Sequence, residues 1–113
     1  MAQSAKAYIL KINDPVSNDC AKACSDSCDR VGLDWEYHRG YQNMTGKMAW
    51  TLTGLRTQYQ EPVRYVPKPA PQHKANACSA GHGAIWKRIA EGNEDVGILL
   101  EHDAIMLHYP SVE

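Results

Sequence analysis

The chain contains no phenylalanine, although it has six tyrosines and three tryptophans. No apolar run approaches the roughly 20 residues that a bilayer-spanning helix needs, so no transmembrane segment is expected. Lysine and arginine form no block, and the formal net charge is −1. Phosphate-backbone binding draws on clustered positive charge, so nucleic acid is not an expected partner. The start, MAQSAKAYILKI, lacks the apolar centre of a signal peptide, and a cytoplasmic location is the expectation. Closely spaced C-x-x-C pairs are also missing, which removes the usual signature of a structural zinc site.

What is present fits one domain over residues 1–113, with ordinary globular proportions of 43% hydrophobic and 22% charged residues. Lys6–Ile12 reads as a first strand, ended by Asn13-Asp14-Pro15 because proline cannot continue a ladder. A helix follows, capped by Ser17, Asn18 or Asp19 and stopped at Gly32. Cys20, Cys24 and Cys28 make one stripe on it, read as reduced thiols on the core face. A metal on that stripe would need another ligand, with Cys78, His73 and His82 available. Leu33–Tyr37 is a second strand, completing a βαβ unit. Residues 43–75 read as irregular or partly helical, with Pro62, Pro67, Pro69 and Pro71 forcing an extended connection.

The chain is organised around Ala77–Ala104. Ile85, Trp86 and Ile89 fall at helical spacing, Trp86 being taken as core, and Gly92 is a stop. Val96–Leu100 is then a continuous apolar run, as in a strand covered on both faces. Glu101, His102 and Asp103 follow at its carboxyl end, where open α/β sheets bind ligands. On an extended backbone Glu101 and Asp103 face one side and His102 the other. His82 is placed near a helix start, where free N–H groups favour an anion and Gly81 and Gly83 allow close approach. A solvated strand end and a capping histidine are the bland alternatives.

This stretch resembles the conserved segment of the family 25 glycosyltransferases, the lipopolysaccharide-type galactosyltransferases. That segment reads A-C-A-L-S-H-x-x-x-W-x-x-I-A, a polar turn, then L-I-L-E-D-D-A. Ala77, Cys78, His82, Trp86, Ile89, Ala90, Leu100, Glu101, Asp103 and Ala104 match in order and spacing. Gly81 stands in place of serine, and His102 in place of the middle acid. The resemblance implies an α/β, GT-A-like (Rossmann-type) mostly parallel sheet, short relative to the full family fold. It implies a nucleotide-sugar donor, a UDP-hexose being expected, and a glycan acceptor. It further implies Mn²⁺ or Mg²⁺ held by Asp103 with Glu101, and donor contacts from His82, Glu101 and Asn13. No general base for the acceptor is identified. The chain is therefore expected to be a donor-binding half, working as a homodimer or with a partner chain. A non-catalytic nucleotide-binding or interaction module of the same fold is the second class these residues allow.

Overall fold

The structure, a computed structural model, describes residues 4–55 and 70–110, with 70–76 described by their backbone alone. The elements run β1 (Ala5–Lys11), α1 (Pro15–Val31), β2 (Asp34–Arg39), α2 (Gly46–Thr53), α3 (Ala70–Glu91) and β3 (Val96–Glu101). The three strands form a parallel sheet in the order β2-β1-β3. The chain is thus an α/β protein with a small parallel sheet flanked by helices.

Local signals explain where α1 begins and ends. Asp14 is its N-cap, accepting hydrogen bonds from Val16 N–H at 3.1 Å and Ser17 N–H at 3.2 Å. The sequence had offered residues three to five positions later. Pro15 occupies the first turn, where a missing N–H costs nothing. Gly32 closes the helix in the left-handed conformation, at φ +76°, as expected of a glycine stop.

β1 is the centre of the molecule, and its side chains alternate between two cores. Ala7 and Ile9 pack with Ala21, Cys24 and Cys28 of α1 and with Leu33, while Tyr8 and Leu10 face Ile85 and Ile89 of α3. Parallel register carries the alternation across the sheet: Ile9 aligns with Tyr37 and Leu100, Leu10 with His38 and Glu101. Accordingly Tyr37 shares a hydrogen bond with Ser25 of α1, whereas Glu36 pairs with Arg88 of α3. The thiol stripe behaves as a core face should. Cys24 and Cys28 are fully buried and Cys20 half-buried.

β3 lies at one end of the strand order. Ile98 and Leu100 meet the α1-side core and Leu99 the α3-side core, so both faces are covered. Its apolar residues are nonetheless only half-buried, because β1 flanks just one of its sides. Gly97 lets this strand close on α3. A Cβ there would lie 2.3 Å from Ile89 Cγ2, well inside contact distance.

Three expectations change. The helix around Trp86 extends back to Ala70 rather than starting near His82, so the connection expected over 43–75 contains α2 and the first turn of α3. Pro71, expected to force an extended connection, instead lies in the first turn of α3, where a missing N–H costs nothing; the same reading at Pro62, Pro67 and Pro69 lies outside the described residues. Trp86 is 62% exposed rather than core. Ile85 and Ile89 set the buried face, and Trp86, one residue on from Ile85, is turned roughly 100° around the helix axis.

Candidate functional site

Sheet order decides where a site can form. From β1 the chain goes through α1 to β2, then through α2 and α3 back across to β3 on the other side of β1. Strand order therefore reverses at β1, and the crevice at the carboxyl ends of β1 and β3 is the position where such sheets take ligands. A cleft of about 580 Å³ opens there. Ile12 and Asp14 line it from the β1 exit, Gly40 to Met44 from the β2 exit, and Glu101, His102 and Asp103 from the β3 exit. Ala77 and Cys78 of α3 complete the wall.

The walls are tied together by polar contacts. Ser17 is buried at the start of α1, and its Oγ accepts from Ile12 N–H at 3.1 Å and lies 2.8 Å from His102 Nδ1. One hydroxyl thereby joins the exits of β1 and β3 to α1. Asn13 N–H donates to Gln42 Oε1 at 3.1 Å, and Gln42 Nε2 donates back to Asn13 carbonyl oxygen at 3.3 Å. That pair joins the exits of β1 and β2. Asn13 itself is exposed and does not line the cleft; only its backbone is tied to the wall, through Gln42. Burial pushes the Tyr41 hydroxyl above its ordinary pKa of 10.0.

The three residues at the end of β3 diverge. Glu101 continues the strand's alternation onto the α3 side, where its Oε1 lies 3.2 Å from His82 Nε2. His102 faces the opposite side, as alternation predicts, and reaches Ser17. A turn begins at His102, so Asp103 does not return to the Glu101 side. It instead adds its charge to the burial that pushes the Cys24 thiol up to about 12, the neighbouring Cys28 contributing more. Asp103 is exposed and borders the cleft.

His82 occupies the middle of α3 rather than its start, so its backbone N–H belongs to a helical ladder and presents no free donor to an anion. The glycines beside it serve packing. A Cβ at Gly81 would lie 3.0 Å from Leu10, and one at Gly83 would lie 2.9 Å from the Trp50 ring. They let α3 approach the sheet on one side and α2 on the other. The glycines cost about 1 kcal/mol each in helix propensity.

Sequence reading passed over Cys78 as a partner of His82 and Glu101. Its Sγ lies 3.9 Å from His82 Nε2, and one ligand atom from each of Cys78, His82 and Glu101 falls within 4.8 Å of the others. The signal was available: Cys78 and His82 are four residues apart, which places them on one helix face. The sequence alone hides it, because the helix is expected to start near His82, whereas α3 begins at Ala70.

No family model, curated protein or solved structure matches the chain.

Proposed function

We propose that the carboxyl-end cleft binds the diphosphate and base of a nucleotide sugar, a UDP-hexose in the first instance. The chain then acts as the donor-binding part of a glycosyltransferase resembling family 25 and its GT-A fold. The observation that carries this reading is the gathering of Asp103, Gln42 and Tyr41 around a cleft at the reversal of strand order, with the Asn13 backbone hydrogen-bonded to Gln42. Asp103 is an exposed carboxylate that borders that cleft and makes no pair with His82, and carboxylate with phosphate oxygens suits Mn²⁺ or Mg²⁺. Such an ion, when bound, neutralises charge on the leaving diphosphate. The protein's own part is to hold Asp103 at the cleft edge through the turn after β3, to offer the Tyr41 ring to the base, and to present Gln42, held by the Asn13 backbone, to the ribose. Glu101, turned toward His82, braces the wall.

One observation favours a second reading, a nucleotide-binding module without transfer. Transfer to a glycan hydroxyl needs a base to take its proton. Asp14 is engaged in capping α1 and Glu101 pairs with His82. With Asp103 committed to a cation, no described carboxylate of the cleft is free for that role. Thermal stabilisation by UDP with Mn²⁺, lost in Asp103→Ala, tests donor binding. Transfer from UDP-sugars to a glycan mixture separates the two classes. Absence of any stabilisation by UDP or UDP-sugars would refute both.

A further inference from the structure

We propose that Cys78, His82 and Glu101 form a zinc site on the α3 side of the cleft, with a fourth coordination position open toward it. The site is built from protein atoms alone and stands apart from the donor reading. Its three donors come from two rigid elements. Cys78 and His82 share one face of α3, and Glu101 is the last residue of β3, directed to that face by its register opposite Leu10. Sγ to Nε2 is 3.9 Å, Nε2 to Oε1 is 3.2 Å, and all three donor atoms lie within 4.8 Å of one another. Tetrahedral zinc with ordinary Zn–S, Zn–N and Zn–O bonds sets its ligands about 3.3–3.6 Å apart. Reaching that geometry requires closing a widest gap of at most 4.8 Å between side chains already side by side.

Donor chemistry selects the ion. A thiolate and a carboxylate bring two negative charges, matching Zn²⁺, while a neutral imidazole completes the set. Sulfur and imidazole nitrogen favour zinc over Mg²⁺ or Mn²⁺, which take oxygen. An ion pair between His82 and Glu101 alone would not require a sulfur beside it. Three protein ligands leave one position for water or another oxygen ligand, as in zinc sites that act on bound molecules. Cys78 and Glu101 both line the cleft, so that position meets whatever anion the cleft holds. Access is open: the His82 and Glu101 side chains are 27% and 56% exposed.

The test is titration of the full, metal-stripped chain with Zn²⁺ and with Co²⁺ as a spectroscopic substitute, in the absence of nucleotide. One equivalent of Co²⁺ should bind, with visible bands of tetrahedral cobalt and a thiolate-to-cobalt charge-transfer band, and excess Mg²⁺ should not displace it. Cys78→Ser should remove the charge-transfer band, although Cys20, Cys24 and Cys28 remain. His82→Gln should weaken binding by more than the roughly 10–100-fold that loss of a supporting partner costs. Asp103→Asn should leave the cobalt spectrum unchanged, whatever it does to UDP binding. Circular dichroism of each variant establishes that it is folded. Should Cys78→Ser prove unfolded, the charge-transfer band must instead be lost on stoichiometric alkylation of Cys78 in the native chain. No thiolate band in the native protein, a band that survives loss of the Cys78 thiol, or a spectrum abolished by Asp103→Asn would overturn the proposal.

Discussion

Glu101 Oε1 lies 3.2 Å from His82 Nε2, joining the last residue of β3 to the middle of α3. The contact exists because Leu10 and Glu101 are register partners and Leu10 faces α3. The strand that supplies the acid and the helix that supplies the imidazole therefore meet at the cleft wall. Asp103, two residues further on, leaves that wall with the turn.

Nucleotide binding at the cleft should appear as stability. UDP with Mn²⁺ at a hundredfold excess over the dissociation constant should add about 2.7 kcal/mol. Asp103→Ala should remove that gain while leaving the melting temperature of the free protein nearly unchanged, since Asp103 is exposed. Calorimetric melting with and without ligand measures both quantities. A full gain in the variant would remove Asp103 from the site.

Ser17 holds the cleft in shape. Ser17→Ala strips the buried acceptor from Ile12 N–H and the partner from His102 Nδ1. Leaving a buried donor unpaired costs about 1–3 kcal/mol; Ile12 and His102 are half-buried, so denaturant unfolding should report a loss toward the lower end of that range. Ser17→Thr, which keeps the oxygen, should lose less. Equal stability of Ser17→Ala and wild type would show that the tether contributes nothing.

Gly97 is required by space rather than by backbone conformation. In Gly97→Ala the new methyl would press on Ile89 of α3. Overpacking of this kind costs about 1–3 kcal/mol. Ile89→Ala in the same chain should return part of that loss, because the three atoms the new methyl meets, Cγ1, Cγ2 and Cδ1 of the isoleucine, are all removed. A double-mutant cycle on chemical denaturation gives the coupling. Additive effects would refute the contact.

The buried thiols predict an alkaline limb. Burial first, and then the neighbouring Cys28 and Asp103, raise Cys24 from 9.0 to about 12. The folded state holds this proton more tightly than the unfolded chain does. Stability is therefore whole below pH 9, falls as pH rises through the interval, and loses about 1.4 kcal/mol per pH unit from this group. Cys24→Ala should be less stable at neutral pH but show a shallower decline above pH 9. In native protein Cys24 and Cys28 should also react slowly with a thiol reagent at pH 8, and fully once denatured. An unchanged alkaline slope in Cys24→Ala, or rapid labelling of both thiols in the folded chain, would contradict their burial as protonated groups.

Much of the architecture was written in short-range signals. The four-residue cysteine stripe and Gly32 are enough to define the body and the end of α1, because helical periodicity and a glycine stop act within a turn or two, whereas its cap at Asp14 lies three residues before the earliest one expected. The apolar runs of β1 and β3 and the acids after β3 likewise announced a sheet with polar groups at its carboxyl ends. The start of α3 was not legible in this way. Gly81 and Gly83 look like helix breakers in isolation, yet the space they leave for Leu10 and Trp50 is what allows the helix to dock.

The sequence by itself determined the element types along β1, α1 and β3, since these depend on neighbours close in the chain. It also placed Glu101, His102 and Asp103 at the end of a strand. Only the tertiary structure decided that Glu101 joins Cys78 and His82 while His102 joins Ser17 and Asp103 goes its own way. Those partners are far apart in the chain or separated by a turn. Their meeting follows from strand order, from the register of β3 on β1, and from the depth to which glycines let α3 settle. None of these is a property of any local stretch of residues.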